Sequence, residues 1–283
     1  MATSPSRQPH GRLVGREARL LFVVYSLLSL AVWEPLYLGS AKTDRYFAWT
    51  IKPSLTAAFL GACYGGGFVL NVLSSRERLW ERGRVAVPAG LVFTTAMLVA
   101  TLLHLDRFHL SSSLLVAKGV AWAWLVIYVG VPLLTLAVLL RQLRLPGRTG
   151  RRTARLPRAL RCLLAAQAAA LAGYGATLFV APLTTASVWP WTLTPLTGRA
   201  VGAWLLGLGV AAGHMLWEND RERARAGLLA YACLAALQFV ALARYQGTVD
   251  WGGARTWVYV VFLASLLATG LSALTKAHGP RRV

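Results

Sequence analysis

Long apolar runs alternate with short polar segments along the whole of this 283-residue chain. Each run is about 20 residues long or slightly shorter, which as a helix is enough to cross the roughly 30 Å hydrocarbon core of a bilayer. The runs cover residues 20–38, 54–73, 85–104, 114–140, 162–182, 198–217, 226–243 and 254–275. The pattern predicts an all-α polytopic membrane protein with eight transmembrane helices, joined by loops too short to form a soluble domain.

One short pattern occurs twice. Residues 49–53 read Trp-Thr-Ile-Lys-Pro, and residues 191–195 read Trp-Thr-Leu-Thr-Pro. A Gly-Ala pair follows each copy, at positions 61–62 and 202–203. Because Pro suits the first turn of a helix, both copies are expected to be loops that lead into a helix.

The two copies indicate an internal duplication of four helices plus four. Arg-Glu-Arg at 76–78 and 221–223, and Trp124 with Trp257, are further candidate echoes. Since four is an even number, both halves start on the same side of the membrane, and the repeat is parallel. We therefore expect one bundle of eight helices, with a pseudo-two-fold axis along the membrane normal.

The predicted organisation has five segments. Residues 1–18 form a disordered cytoplasmic tail, and 19–140 form the first four-helix repeat. Residues 141–161 form a basic cytoplasmic linker, 162–275 the second repeat, and 276–283 a second cytoplasmic tail.

Composition supports the membrane assignment, since 56% of the residues are hydrophobic, only 14% are charged, and the mean hydropathy is +0.53. The net charge of +20 is unevenly distributed. If the amino terminus is inside, 22 of the 30 Lys and Arg residues fall on the cytoplasmic side and the other eight on the opposite side. This positive-inside bias predicts a multi-pass protein of the inner (plasma) membrane with both termini in the cytoplasm. Arg outnumbers Lys 26 to 4, which is typical of a bacterial source rich in GC.

The same charge distribution argues against nucleic acid as a partner. Membrane lipids are the expected partners, and anionic headgroups are expected to bind the linker that runs from Arg141 to Arg161. No metal is predicted, because the three cysteines have no metal-ligand spacing and no second acidic or His cluster accompanies His104 and Asp106. No cofactor is predicted, because the sequence has no nucleotide-binding glycine motif and His214 has no helical partner for a haem. The acidic segment 218–222 has two interpretations, a weak match to motifs that hold a magnesium diphosphate and a solvated loop, and the solvated loop is favoured.

The candidate site is an outward-facing cavity between the two halves. Its aromatic wall is predicted to include Trp49, Trp189 and Trp191, with Trp124 and Tyr128 contributed by the fourth helix. Lys52 and Arg199 lie near the starts of the second and sixth helices, where exposed N–H groups favour anions. The candidate acid and base groups are Glu34, Asp44, His104 and Asp106. Two simpler explanations stay open: tryptophans also collect at membrane interfaces, and Asp106 beside Arg107 is also typical of a capped helix end.

Three functions fit this pattern. The first is a membrane-embedded enzyme or binder for a lipid-like or isoprenoid-like hydrophobic small molecule. In the enzyme, a carboxylic acid starts an isomerisation or cyclisation and aromatic rings stabilise the cation, as in terpene-cyclase chemistry. The second is a secondary transporter of a small solute, and the third is a non-catalytic membrane assembly protein. Size and the absence of aqueous domains are similar to those of small membrane-bound terpene cyclases, although no motif carries that resemblance.

Overall fold

The computed structural model describes residues 11–275, and within that span eight helices are long and apolar enough to cross a membrane. The prediction of an all-α, multi-pass membrane protein is confirmed. In chain order the helices are α1 (Arg16–Trp33), α2 (Ser54–Arg76), α3 (Ala86–Leu103), α4 (Leu115–Arg144), α5 (Arg158–Val180), α6 (Pro195–Glu218), α7 (Arg221–Arg244) and α8 (Ala254–Leu271). The tail predicted at 276–283 and residues 1–10 of the amino-terminal tail lie outside the described residues.

Proline residues shape the ends of several helices. Pro35 has no N–H to donate to the preceding turn, and there α1 widens into one π turn at Glu34–Leu38. Pro195 is the first residue of α6, which is closed by a reciprocal capping box. In that box the hydroxyl of Thr194 accepts from the Thr197 N–H, and the hydroxyl of Thr197 accepts from the Thr194 N–H at 2.8 Å. Pro53 directly precedes α2, so both Pro-containing loops lead into helices as predicted.

Helices α2 and α6 form the centre of the bundle. In the most apolar part of α2, 72% of the residues are buried inside the protein, and the share for α6 is 61%. The corresponding share for α4, α5 and α8 is 28% each. The α2 helix packs mainly against α1 and α7, and α6 packs mainly against α5 and α3. Two outer pairs, α3 with α4 and α7 with α8, complete the bundle, whereas α1 touches α4 and α5 touches α8 only sparsely.

Glycine permits the closest helix contacts. A Cβ atom placed on Gly61 of α2 would lie 2.7 Å from the backbone nitrogen of Tyr37, in the turn that extends α1. A Cβ on Gly202 of α6 would lie 2.9 Å from the backbone nitrogen of Phe179 in α5. Both distances are shorter than a side chain tolerates, so the two helix pairs pack backbone against backbone, as small residues allow in membranes.

The loops divide between two ends of the bundle. The end that carries both limits of the described chain, here the termini end, holds the α2–α3, α4–α5 and α6–α7 loops. There the Val14 N–H donates to the Arg78 carbonyl, and Arg221 donates to the carbonyl of Ser272. The opposite end holds the α1–α2, α3–α4, α5–α6 and α7–α8 loops, and we call it the repeat end because it contains Trp49 and Trp191.

Candidate functional site

A first aromatic cluster surrounds Trp49 at the repeat end. The chain before α2 crosses the loop after α3 through a backbone bridge between Trp49 and Phe108, and this bridge buries the indole. Trp124 of α4 meets the Trp49 ring edge to face at 5.0 Å between centroids and stacks on Tyr128 at 4.3 Å. The Trp124 Nε1–H donates to the hydroxyl of Thr101 in α3 at 3.1 Å. Three predicted wall residues, Trp49, Trp124 and Tyr128, are thus brought together.

A second cluster surrounds Trp189 and Trp191 at the same end. Their rings meet at 5.2 Å and both pack on Tyr259 of α8, and Trp189 also stacks on Tyr174 of α5. The Trp191 Nε1–H donates to the hydroxyl of Thr56 in α2 at 2.9 Å, which ties this loop to the other half of the chain. Trp257, the proposed counterpart of Trp124, is 54% exposed, and Tyr259 packs on the repeated tryptophan instead.

The two clusters are separate. Within residues 11–275 no aromatic pair joins the ring of Trp49 to that of Trp189 or Trp191. The sequence predicts one shared aromatic wall between the halves, whereas the structure has one cluster on each side of the bundle. The difference follows from α2 and α6, which fill the centre and hold the loops apart.

The larger cavity beside these clusters lies between α5 and α8, where the helices barely touch, and we call it the α5–α8 cavity. Its volume is about 240 Å³. The lining is aromatic and aliphatic with few polar groups: Phe59, Cys63, Ala170, Leu171, Tyr174, Val188, Trp189, Pro190, Leu205, Leu208, Leu234, Gln238, Arg255, Val258, Tyr259, Phe262, Leu263 and Leu266. Val188 and Val258 are more than half exposed, so the cavity opens onto the outer surface of the bundle.

A central cavity of about 110 Å³ lies among α1, α2, α3, α4, α6 and α7. Aromatic rings form much of its wall, with Phe93 stacked on Trp204 at 3.8 Å. Inside it the hydroxyl groups of Tyr64 and Tyr128 form a hydrogen bond of 2.5 Å. The residues that line it include no Asp, Glu, Lys or Arg.

The predicted carboxylates lie away from both cavities. Glu34, Asp44 and Asp106 are exposed, and none of them lines the α5–α8 or the central cavity. Asp106 forms an ion pair with its neighbour Arg107 at 2.9 Å, as the helix-end interpretation predicts. Lys52 is also exposed, although it lies only two residues before the start of α2 at Ser54.

His104 and Arg199 are brought together from the two halves of the chain. The guanidinium of Arg199, near the start of α6, donates to Nε2 of His104, at the end of α3, across 2.7 Å. A guanidinium can only donate, so this imidazole accepts and is neutral. Partial burial lowers the pKa of His104, and the positive charge of Arg199 lowers it further.

A buried ionic cluster at the termini end was not predicted. Glu218, only 1% exposed, accepts from Arg84 with one carboxylate oxygen and from Arg223 at 3.0 Å with the other. His214 Nε2 lies 3.3 Å from the same carboxylate. Arg84 also lies over the ring of Trp217, at 4.8 Å from its centroid. In the segment interpreted from sequence as a solvated loop, Glu218 and Asp220 are buried and only Glu222 is exposed.

The residues after Glu218 hold the basic linker in place. Asp220 caps α7 with one oxygen, and with the other it accepts the backbone N–H groups of Thr153 at 2.5 Å and Ala154 at 3.1 Å. Burial alone would raise the pKa of Asp220, but these backbone N–H bonds lower it below its usual value. Arg223 donates to the carbonyl of Gly150 at 2.5 Å. The sequence offers one local indication of this arrangement: Asp220 is a residue type that commonly caps the start of a helix, here α7.

No group of three or more His, Cys, Asp or Glu side chains in the described part of the chain is placed to hold a metal ion. Comparison of the chain with family models, with curated proteins and with solved structures gives no match.

Proposed function

We propose that this membrane protein binds a hydrophobic, chain-like molecule of the lipid or isoprenoid class in the α5–α8 cavity. The observation that carries the proposal is the cavity itself, which is aromatic-walled, about 240 Å³ in volume and open at the outer surface of the bundle. An apolar cavity of about 150 Å³ is already large enough to admit benzene. The sparse contact between α5 and α8 supports entry from the membrane rather than from water.

The positions of the polar groups support binding of a ligand better than they support acid catalysis. Neither cavity is lined by an Asp or Glu residue, whereas an acid-initiated reaction needs its acid within hydrogen-bond reach of the substrate. Ion-coupled transport is supported no better. Along the described spans the Lys, Arg, Asp, Glu and His side chains lie close to helix ends, while coupling usually uses an ionisable group deep in the membrane.

We also propose that the protein arose by a parallel duplication of four helices. Exchanging the halves maps the contact of α1 with α2 onto that of α5 with α6, and the contact of α2 with α7 onto that of α6 with α3. The close approaches at Gly61 and Gly202 correspond at a spacing of 141, one residue less than the 142 between the two copies of the repeated loop. The backbone bonds from Trp80 to Arg12 and from Arg221 to Ala154 correspond at spacings of 141 and 142.

These two backbone hydrogen bonds change how the acidic α2–α3 loop aligns with the acidic α6–α7 loop. At a spacing of 141, Glu77 aligns with Glu218, and Glu81 and Arg82 align with Glu222 and Arg223. The offset of 145 between the two Arg-Glu-Arg triplets does not match the hydrogen bonds. The α2–α3 and α6–α7 loops therefore share a role. Each loop binds the segment that precedes the first helix of its half, α1 or α5.

The proposed setting is a bacterial inner membrane with the termini end in the cytoplasm. Arg144, Arg148, Arg151, Arg155, Arg158 and Arg161 are exposed, and none of the six has an acidic partner in residues 11–275. A row of unpaired guanidinium groups beside the bilayer favours anionic headgroups, which supports the proposed lipid partner at the linker.

Native mass spectrometry on protein extracted in a mild detergent tests the binding proposal. Ala170→Trp adds an indole at a residue that lines the α5–α8 cavity, while Ala169→Trp adds the same bulk at an equally exposed neighbour that does not line it. We expect a discrete hydrophobic molecule to copurify with the wild type and with Ala169→Trp and to be depleted in Ala170→Trp. Equal amounts in all three proteins, or none in the wild type, would refute the proposal.

A further inference from the structure

We propose that the molecule held in the α5–α8 cavity is an anionic amphiphile, with its phosphate or carboxylate head at Arg255 and Trp189 and one apolar chain along α8. This inference rests on the proposed function and specifies the class of ligand. Binding an apolar chain from lipid gains little from the hydrophobic effect, because lipid tails are as apolar as the cavity. Recognition must then depend strongly on polar groups, and their positions indicate the ligand.

The deep part of the cavity has its polar groups paired within the protein. Gln238, 1% exposed, donates from Nε2 to the carbonyl of Phe59 at 3.0 Å. Its Oε1 accepts from the hydroxyl of Tyr259 at 3.3 Å. Further along α8 the wall is formed by Phe262, Leu263 and Leu266. This part of the cavity suits an apolar chain.

The lining of the cavity near the repeat end, in contrast, has a donor without an acceptor and a guanidinium without a carboxylate. Trp189 is 5% exposed, and its Nε1–H has no acceptor among the residues that the structure describes. Arg255 donates only to the carbonyl of Ser187, at 2.5 Å, and has no carboxylate within ion-pair distance in the described chain. A buried donor left unpaired is costly, and a ligand acceptor that reached it after a small shift of its neighbours would recover part of that cost.

The start of α8 strengthens the preference for an anion. Arg255 lies in the first turn, where the helix dipole favours negative charge and disfavours a cation. The nearby carboxylate of Asp250 is engaged by the Gly252 N–H at 3.1 Å. The repeat end as a whole carries eight Lys and Arg residues against four Asp and Glu. From Arg255 to Leu266 the cavity follows α8 for about 16 Å, at 1.5 Å per residue.

Titration with hexadecyl phosphate, hexadecanol and inorganic phosphate tests the assignment, with bound species counted by native mass spectrometry. The first two probes share a chain and differ in charge. We expect the wild type to bind hexadecyl phosphate about tenfold more tightly than hexadecanol, because hydrogen bonds to charged groups are worth about 1.5–3 kcal/mol. Arg255→Gln should abolish that difference and keep hexadecanol binding. The control Arg45→Gln, an exposed residue at the same end that lines neither cavity, should preserve the difference.

The other outcomes separate the two proposals. If hexadecanol and hexadecyl phosphate bind equally to the wild type and Ala170→Trp blocks both, the headgroup assignment is wrong and the binding cavity stands. If neither probe binds, or Ala170→Trp changes nothing, both proposals fail. If inorganic phosphate competes as well as hexadecyl phosphate, the site binds simple anions and the chain has no role, which also overturns the inference.

Discussion

At the scale of single residues, Glu218 neutralises two guanidinium groups in a place that water hardly reaches. Its side chain is 2% exposed, and those of Arg84 and Arg223 are 16% and 6% exposed. Removing one member of a buried ion cluster leaves the remaining charges uncompensated, which typically costs about 3–5 kcal/mol.

Glu218→Gln is therefore expected to destabilise the protein by about 3–5 kcal/mol, measured as a fall in the thermal unfolding midpoint in detergent. The control is Glu222→Gln, which removes a carboxylate that is 48% exposed and 3.9 Å from Arg82. This exposed pair should contribute less than about 1 kcal/mol. Equal falls in the unfolding midpoint for the two variants would show that the buried cluster stabilises the protein no more than the exposed ion pair does.

His104 predicts a pH dependence of stability. Its pKa in the folded protein is below the ordinary value of about 6.5, so the unfolded chain binds the proton more readily. The contribution of neutral His104 is then complete above the unfolded pKa of about 6.5, and it is lost as the pH falls from there through the lower pKa of the folded protein. We expect the unfolding midpoint of the wild type to fall between about pH 7.5 and about pH 5.5 by more than that of His104→Gln. Gln can still accept from Arg199 but does not titrate, so identical pH profiles would contradict the account.

At the scale of helices, the glycine contacts predict which positions exclude a side chain. Gly202→Leu would press a side chain into the backbone of α5 and should cost at least about 1–3 kcal/mol, as overpacking does. Gly213 lies on the same helix with no other heavy atom within 4 Å of an added Cβ, so Gly213→Leu provides the matched control. Unfolding midpoints of the two variants measure the difference. A tolerated leucine at Gly202 would mean that α5 and α6 are not packed this closely.

The helices themselves could largely be predicted from the sequence. Apolar length alone located the eight spans, because a segment in lipid must satisfy its backbone hydrogen bonds internally. The limits were less accurate at basic ends: the run 114–140 extends to Arg144, and the run that starts at 20 begins at Arg16. Long Arg side chains continue a helix beyond its apolar stretch because they reach back to the polar boundary.

At the scale of the whole molecule, the sequence did not show which of the predicted residues lie together. Trp49 and Trp191 are both buried in aromatic clusters, yet which cluster each joins depends on how α2 and α6 fill the centre. The pairing of His104 with Arg199 joins residues 95 positions apart, and that of Arg84 with Glu218 joins residues 134 apart. Such contacts depend on how the helices pack, so no short stretch of the sequence indicates them.

The two ends of the bundle predict a labelling pattern. With the termini end in the cytoplasm, a membrane-impermeant maleimide should label Asp44→Cys in intact cells and label Arg148→Cys only after permeabilisation. Both positions are exposed, one at each end. Replacing Cys162 and Cys233 by Ser lowers the background of partly accessible thiols. The reverse pattern would overturn the proposed orientation.

An experimental structure of the protein in lipid nanodiscs would show whether the α5–α8 cavity holds a hydrophobic chain, as we propose. We expect elongated density between α5 and α8, in contact with Tyr174, Trp189 and Tyr259, with its polar end beside Arg255. An empty cavity, or helices α5 and α8 closed onto each other in the bilayer, would contradict it.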